Sequence, residues 1–226
     1  MAAVPLLDRK EWRDFDSFFK NNAPRNDTDN FKESVRKIRH DIESSNEKTF
    51  LFASLKEQEG KSFMVATLAY TFTLKSKKVL IIDTNFKNNT LTSLSVKPFI
   101  DNPVTSEVQT LPTATRLEFV INIPTVDIIG NQGGHNSPSE LLSGVDFKRK
   151  MRELAKNYDY IFLEAACLNK YSDAREVIDF VEKVIPVFDA TTTLSQTDDN
   201  GLAFLHSLGD KVLGCVLNKA NFKSLN

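Results

Sequence analysis

One stretch, residues 50–62, limits the folds open to this chain more than any other. It reads FLFASLKEQEGKS: a short apolar run, a polar loop and then the tripeptide Gly60-Lys61-Ser62. The segment that follows, FMVATLAYTF, is almost entirely apolar, too long for a typical strand and long enough for a buried helix. A strand, a tight loop and a helix in this order are typical of a loop that binds phosphate groups.

The residue types in this loop suit phosphate chemistry. The first backbone N–H groups of a helix have no partner within the helix and carry a partial positive charge, so they attract anions. Gly60 lets the backbone come close to a phosphate, Lys61 reaches the terminal phosphates, and Ser62 offers its hydroxyl to a magnesium ion. The full pattern also has a glycine where this chain has Leu55, so Gly60 is the one glycine of the loop. Nucleotide contacts are predicted at Lys56, Gln58, Glu59, Gly60, Lys61, Ser62 and Phe63.

Acidic side chains follow two further apolar runs. Residues 79–82 are predicted to form a buried strand that ends at Asp83, and residues 158–163 another that ends at Glu164. A carboxylate at the carboxyl end of a strand beside a phosphate loop, here Asp83, is placed to hold a magnesium ion or its water shell. An aspartate at the end of a strand is also a frequent helix cap, and both interpretations stay open.

Strand-like and helix-like segments alternate along most of the chain. Further strands are predicted at 126–129, 184–188 and 212–217, and helices at 30–43, 137–156, 173–183 and 198–208. Pro186 interrupts one of these strands, which predicts an edge position or a bulge. The alternation predicts an α/β fold of the P-loop NTPase type, with a mostly parallel central sheet and helices on both faces. Residues 1–29 are predicted to be an N-terminal segment or linker, and residues 30–226 one domain.

Composition excludes several other classes. The formal net charge of −1 provides no basic field for nucleic acid, which we do not expect as a partner. No apolar run approaches the roughly 18 residues that a membrane span needs. The three histidines show no metal-ligand spacing, and the two cysteines, in or beside apolar segments, are predicted to be buried free thiols.

The predicted helix at 30–43 carries an apolar stripe and a charged ridge. Along the ridge, Glu33, Arg36 and Arg39 follow one another at intervals of three. Spacing alone allows a solvated, ion-paired face or an interface with another copy of the chain.

Together these residues resemble the cytoplasmic ATP-binding domain of bacterial tyrosine kinases, the BY-kinases of exopolysaccharide synthesis and export. The resemblance runs from about residue 30 to residue 221 and rests on four stretches in order. These are the Glu33-x-x-Arg36-x-x-Arg39 ridge, EGKS followed by VLIIDTNFK, NSPSELL leading into YDYIFLE, and VLGCVLNK.

The resemblance implies ATP or ADP and Mg²⁺ as cofactors and assigns a role to each matched position. It implies catalytic roles for Lys61, Asp83 and Glu164, and metal ligands at Ser62, Asp83, Asn85 and Glu164. It implies that Asn218 contacts the base of the nucleotide. It also implies self-association through Glu33, Arg36 and Arg39, which forms a ring if the rotation between neighbouring copies allows the ring to close. It also implies a location at the inner face of the plasma membrane and a membrane partner, a polysaccharide co-polymerase or activator segment that is fused or separate.

The chain departs from the family pattern at several of these positions. Asn85 replaces the second aspartate after the first strand, Glu164 replaces the later aspartate, and Lys87 stands near a frequent arginine. The tyrosines are Tyr70, Tyr158, Tyr160 and Tyr171, so the C-terminus lacks the tyrosine-rich tail that family kinases phosphorylate.

These departures predict weak ATP binding and reduced or absent tyrosine autokinase activity. One alternative is a non-enzymatic pseudokinase scaffold of the export machinery. Another is a partition or septum-positioning ATPase, a class with a signature lysine at the start of the loop, where this chain has Lys56.

Overall fold

A computed structural model describes residues 2–6, 18–19, 26–93, 97–98, 114–116, 126–131, 133–134, 137–141 and 144–221. Within these residues the strands are β1 (Ala2–Pro5), β2 (Thr49–Ala53), β3 (Val79–Asp83), β4 (Lys97–Pro98), β5 (Ala114–Arg116), β6 (Val126–Ile129), β7 (Tyr160–Glu164), β8 (Lys183–Asp189) and β9 (Val216–Ala220). The α-helices are α1 (Asn26–Ser44), α2 (Lys61–Thr73), α3 (Thr90–Ser93), α4 (Pro138–Leu141), α5 (Gly144–Asn157), α6 (Asp173–Val177) and α7 (Asp199–Ser207).

The strands form one sheet in the order β1-β9-β8-β2-β7-β3-β6-β5-β4. In the part of the sheet that begins with β1 and ends with β6, each strand is parallel to its neighbour. The short strands β5 and β4 continue the sheet at one edge in antiparallel pairs. The predicted α/β fold with a mostly parallel central sheet is therefore confirmed.

Both faces of the sheet are covered, because alternate residues of each strand point to opposite sides. Phe50 and Phe52 of β2 pack into one apolar cluster with α1 and α2, whereas Leu51 and Ala53 pack into a second cluster with α5, α6 and α7. The apolar stripe predicted on α1 is buried, and α2 is buried on nearly all sides, as expected for a helix that is apolar all round. No helix of the described residues is long and apolar enough to cross a bilayer.

The structure corrects one of the two places predicted for Pro186, the edge, and agrees with the other, a bulge. Between the Val184–Val212 and Val187–Val216 pairs, three steps along β8 match four along the neighbouring segment. Strand β8 lies between β9 and β2 rather than at an edge, and its register with β2 runs without a shift to the Ala53–Pro186 pair. The carbonyl of Val184 accepts a hydrogen bond from the N–H of Leu213, so Pro186, two residues on, directs its missing N–H to that same side. On that side the neighbouring strand β9 begins only at Val216, so Pro186 lies where the hydrogen bonding between β8 and β9 is interrupted.

The N-terminus also differs from the prediction in part. Residues 2–5, within the predicted linker, form strand β1 and pair with β9, and α1 begins at Asn26 rather than Asn30. The division of the chain at residue 30 stays a prediction. The predicted helix at 137–156 is seen as α4 and α5, with residues 142 and 143 between them outside the described residues.

Candidate functional site

The acidic residues singled out in the sequence meet at one edge of the sheet. Asp83 and Glu164 are paired across β3 and β7, and Glu164 is also paired with Phe52 of β2. The loop that contains Gly60 and Lys61 follows directly after β2, so it lies over the same carboxyl ends. Phosphate loop and strand-end acids are therefore brought together, as the sequence predicted.

Gly60 joins this loop to helix α2. It precedes the helix with φ 91° and ψ 20°, a left-handed conformation that favours glycine. A Cβ atom at Gly60 would lie 2.0 Å from Nδ2 of Asn218, so no other residue fits without moving the side-chain amide of Asn218.

Gln58 adopts a left-handed conformation without being a glycine. Its φ is 63°, at the position where many phosphate loops have glycine. Such a conformation costs a residue with a Cβ atom about 1–2 kcal/mol. The loop therefore keeps the backbone shape of a glycine-rich loop while carrying strain.

The end of β9 braces the loop from the side. Nδ2 of Asn218 donates to the carbonyl of Glu59 at 3.0 Å, and Nζ of Lys219 donates to the carbonyl of Gln58 at 3.1 Å. Lys219 also pairs with Asp189 at the end of β8. Asn218, predicted to contact the base, thus has its amide on the loop backbone. Sequence reasoning missed Lys219 and Asp189, although Lys219 directly follows Asn218 in the VLNK stretch.

Glu59 turns its carboxylate inward. Its Oε2 accepts a hydrogen bond from the N–H of Lys56 at 2.8 Å, and the side chain is buried. Burial raises the pKa of Glu59, while hydrogen bonds from backbone N–H groups and the charge of Lys61 oppose the rise. A loop N–H group is therefore already paired with an anion of the protein itself.

Lys56 is held within its own chain. Its Nζ lies 2.9 Å from Oδ2 of Asp198 and 3.1 Å from the carbonyl oxygen of Thr193. The hydrogen bond from Lys56 lowers the pKa of Asp198 to about 2, against the effect of burial. The lysine that could serve as the signature lysine of a partition ATPase is thus engaged in an ion pair beside the loop.

Lys61, Ser62 and Glu164 form a buried polar cluster. Nζ of Lys61 donates to Oγ of Ser54 at 3.0 Å and lies 4.0 Å from Oε1 of Glu164. The Ser62 hydroxyl donates to the same Oε1 at 2.7 Å. Oε2 of Glu164 has no hydrogen-bond partner among the described residues.

The pKa of Glu164 reports its environment. The side chain is 1% exposed, and burial, helped by the charge of Asp83, raises its pKa from 4.5 to about 7. The charge of Lys61 and the side chains of Ser62 and Asn85 favour the carboxylate and limit the rise. Burial therefore favours the protonated form of Glu164 more than in an exposed glutamate.

Asp83 makes the contacts of a helix cap, and its role as a metal ligand stays a prediction. Its Oδ2 accepts hydrogen bonds from the N–H and the hydroxyl of Thr92 in α3, and its Oδ1 accepts from the N–H of Asn85. Burial raises the pKa of Asp83, and these hydrogen bonds and Lys61 oppose the rise. Asn85 uses its side-chain oxygen to accept from the N–H of Asn88. Because a carboxylate can accept about four hydrogen bonds, Asp83 keeps lone-pair capacity on Oδ1 for a ligand.

Phe63 directs its ring away from the loop. The ring packs on Phe31 of α1 with centroids 5.7 Å apart, and Phe31 contacts Phe18 and Phe19 of the N-terminal segment. Phe63 can therefore serve a nucleotide only through its backbone N–H group.

The structure divides the ridge predicted for self-association. Glu33 and Arg36 are exposed and lie 3.5 Å apart, whereas Nη1 of Arg39 donates to the carbonyl of Thr71 in α2 at 3.0 Å. Arg39 therefore helps to pack α1 on α2, and Glu33 and Arg36 are left for an interface.

Self-association through this face stays a prediction. Light scattering over a concentration series should show larger species in wild type at low salt, fewer of them in Arg36→Ala, and no change in Lys37→Ala, a matched exposed cation on the same helix. If all three proteins have the same mass distribution, the ridge is only a solvated face.

The oxygen donors of this site fit magnesium. A hydroxyl, two carboxylates and an amide, from Ser62, Asp83, Glu164 and Asn85, are hard ligands of the kind that Mg²⁺ prefers. Oε2 of Glu164 is buried and has no hydrogen-bond partner among the described residues, so it is available as a metal ligand. The described residues contain no cluster of three acidic, histidine or cysteine side chains suited to hold a metal by themselves. Magnesium usually binds one or two carboxylates together with substrate phosphates, which this arrangement allows.

Known proteins resemble the chain in sequence and in fold. No family model matches it. It is 28% identical over 196 residues to a putative tyrosine-protein kinase, CapB of Staphylococcus aureus, with 83% of each protein covered. It is 23% identical over 190 residues to the succinoglycan biosynthesis transport protein ExoP of Rhizobium meliloti, where the match covers 81% of this chain and 24% of ExoP.

Solved structures agree with this fold. The chimerical protein CapA2B2 superposes with a TM-score of 0.74 at 19% identity, over 97% of this chain and 93% of the other. A ParA family ATPase from Chlorobium tepidum superposes less well, with a TM-score of 0.55 at 16% identity, over 79% of this chain and 77% of the other. The sequence matches cover 82 to 84% of this chain, and from them we conclude that the chain is homologous to the cytoplasmic domains of the bacterial tyrosine kinases, the BY-kinases.

Proposed function

We propose that this chain is a BY-kinase-like domain of a capsule or exopolysaccharide machine, at the inner face of the plasma membrane, which binds ATP with Mg²⁺ weakly. The observation that carries the proposal is the meeting of Gly60, Lys61 and Ser62 with Asp83 and Glu164 at one edge of the sheet. The homology to CapB and ExoP supports the biological setting. Because ExoP is about four times as long as the matched segment, the membrane partner, a co-polymerase or activator, is either fused or separate.

Binding is expected to be weak because of the loop. Gln58 holds a strained backbone and adds a side chain where a phosphate would approach. The carboxylate of Glu59 already occupies the N–H group of Lys56, and Glu57 adds a further negative charge nearby. A nucleotide would have to compete with one anion of the protein and tolerate another.

Calorimetric titration with ATP and Mg²⁺ tests this proposal. Lys61→Ala should lose binding, because it removes the ammonium group that hydrogen-bonds Ser54 and lies beside Glu164. Gln58→Gly should bind several-fold more tightly and be about 1 kcal/mol more stable, since glycine relieves the left-handed strain. Gln58→Ala, which keeps a Cβ atom, is the matched control and should gain neither. Equal heats for wild type and Lys61→Ala would show that nucleotide does not bind at this loop.

Phosphoryl transfer is expected to be slow. Bound magnesium would neutralise charge on the phosphates, and Ser62, Asp83 and Glu164 are the residues that would hold it. Asn85 supplies an oxygen but no charge and cannot accept a proton. Glu164 is one methylene longer than the aspartate of the family pattern and shares a proton near neutral pH. A displacement of about 1 Å in such a site costs about a hundredfold in rate.

The metal ligands can be tested by restoring the family residues. Asn85→Asp should raise the rate of ATP hydrolysis and of phosphotyrosine formation, and Glu164→Asp combined with it should raise both further. Asn88→Asp, which adds the same charge three residues on, is the control. If Asn85→Asp and the double variant gain nothing, the metal ligands are not the cause of slow transfer. If wild type already phosphorylates tyrosine at a rate typical of kinases, about 1–100 per second, the proposal of reduced activity fails.

A non-enzymatic scaffold is the second candidate. It is favoured by Asp83, whose oxygens already bind Thr92 and Asn85 and so cap helix α3. In that case nucleotide would bind without turnover in wild type and in both restored variants.

A further inference from the structure

We propose that Tyr171 is the tyrosine to which this site transfers a phosphoryl group. The inference rests on the proposed function, because it needs ATP bound at the phosphate loop. Residues 1–226 offer four tyrosines as acceptors, Tyr70, Tyr158, Tyr160 and Tyr171.

The positions of the other three tyrosines exclude them as acceptors in the folded chain. Tyr70 is fully buried within α2. Tyr158 lies just before β7, at the opposite edge of the sheet from Glu164, and its hydroxyl donates to Asp127 at 2.7 Å. Tyr160 begins β7 at that same far edge and packs its ring on Phe72 with centroids 4.3 Å apart. All three are separated from the phosphate loop by the length of a strand or by the core.

Tyr171 lies at the same end of the sheet as the candidate site, because it follows Glu164 at the carboxyl end of β7. It belongs to the loop that leaves β7 after Glu164, and it is half-buried rather than enclosed. Just before it, the N–H groups of Leu168 and Asn169 donate to the carbonyls of Ser54 and Leu55, at 2.9 and 3.1 Å. The loop that carries Tyr171 is therefore bonded directly to the start of the phosphate loop.

A second contact fixes the same loop further along. Nζ of Lys170 lies 2.8 Å from Oε2 of Glu57, in the middle of the phosphate loop. The pair is exposed, so it adds little stability, but it shows that the residue next to Tyr171 reaches the loop itself.

A cation lies beside the ring on its other side. Nζ of Lys87, which follows Asp83 and Asn85 along the chain, lies 5.8 Å from the centroid of the Tyr171 ring. The ring of Tyr171 thus lies beside the segment after β3, and the loop that carries it is bonded to the phosphate loop. These two segments contribute the proposed metal ligands and phosphate contacts. A phosphate on the tyrosine would gain the charge of Lys87, which now also favours the carboxylate of Asp173.

The transfer is a simple displacement. The phenolic oxygen of Tyr171 forms a bond to the γ-phosphorus of ATP, and the bond from that phosphorus to the β,γ-bridging oxygen breaks. The phenolic proton passes to solvent water, which reaches the half-buried ring, and the products are phosphotyrosine and ADP. No oxidant, reductant or further reactant is needed.

The test is to incubate the full chain with saturating ATP and Mg²⁺ and to locate phosphate by peptide mass spectrometry. We expect phosphate on Tyr171, none on any residue of Tyr171→Phe, and an unchanged pattern in Tyr158→Phe, which loses a tyrosine at the far edge. The Asn85→Asp variant should place more phosphate on the same residue. Because Tyr171 and the phosphate loop lie close together in the same chain, the initial rate per chain should not fall when the protein is diluted.

Each other outcome overturns the proposal. Phosphate on another tyrosine, or in Tyr171→Phe, shows a different acceptor, and a rate that falls on dilution shows transfer between chains. Nucleotide binding by calorimetry with no phosphate on Tyr171, in wild type and in Asn85→Asp, overturns the acceptor while leaving nucleotide binding intact. Absence of nucleotide binding overturns the proposed function and this inference together.

Discussion

Gly60→Ala is expected to abolish nucleotide binding and to destabilise the chain by about 3 kcal/mol. The new Cβ atom would lie 2.0 Å from Nδ2 of Asn218, so the amide of Asn218 must leave the carbonyl of Glu59. Left-handed strain contributes about 1–2 kcal/mol of this, and a buried polar group without its partner about 1–3 kcal/mol. The loop would move away from β9, and the N–H groups at the start of α2 would no longer face a phosphate.

Urea unfolding and calorimetry measure the two effects of Gly60→Ala. Gly209→Ala is the matched control, because Gly209 also has a left-handed φ, 51°, but a Cβ atom there meets nothing within 4 Å. It should cost only the strain, about 1–2 kcal/mol, and leave nucleotide binding unchanged. Equal losses of stability in the two variants, or nucleotide binding retained by Gly60→Ala, would mean that the contact with Asn218 does not hold the loop.

Wild type is expected to lose about 3 kcal/mol of stability relative to Glu164→Gln as the pH rises from about 4.5 to about 7.5. The pKa of Glu164 rises from 4.5 to about 7 on folding, mainly through burial, and each pKa unit corresponds to about 1.4 kcal/mol. Between these two values the folded chain binds more protons than the unfolded chain, so the free energy of unfolding falls as the pH rises. Below pH 4.5 both states are protonated and the effect is constant.

Urea unfolding at a series of pH values measures this difference. Glutamine cannot ionise but keeps an oxygen that can accept from Ser62, so Glu164→Gln removes the titration with little change in shape. Glu57→Gln, which removes an exposed carboxylate of the neighbouring loop, should follow the wild-type curve. Parallel curves for wild type and Glu164→Gln would show that Glu164 does not change its protonation on folding.

Local patterns in the sequence were sufficient to predict most of the fold. The period of the apolar residues on α1 and the uniformly apolar α2 determine helices, and short apolar runs that end in Asp83 and Glu164 determine buried strands. The interior place of Pro186 could not be predicted, because it depends on a gap in the pairing of β9 with β8. Strand β1 was also missed, since a run of four residues near a terminus has no periodic signal.

The sequence predicted which residues lie together at this edge of the sheet but not their hydrogen bonds, and their binding of nucleotide and metal stays a prediction. Strand ends and the phosphate-loop pattern identify Lys61, Ser62, Asp83 and Glu164, because parallel strands bring their carboxyl ends to one edge. Whether Asp83 binds a metal or caps a helix depends on Thr92, whose approach is a matter of tertiary structure. The pairing of Lys219 with Asp189 likewise joins residues 30 positions apart and has no local sequence signal.

The bracing of the loop by β9 has a consequence for the order of folding. The hydrogen bonds from Asn218 to Glu59 and from Lys219 to Gln58 join residues 159 and 161 positions apart. Contacts of such long range form late, because a long loop must close before they contribute. During synthesis on the ribosome the phosphate loop would therefore leave the exit tunnel early but stay without its brace until residues 218 and 219 have emerged. The candidate site is thus expected to be complete only once β9 has joined the sheet, where β9 also pairs with β1.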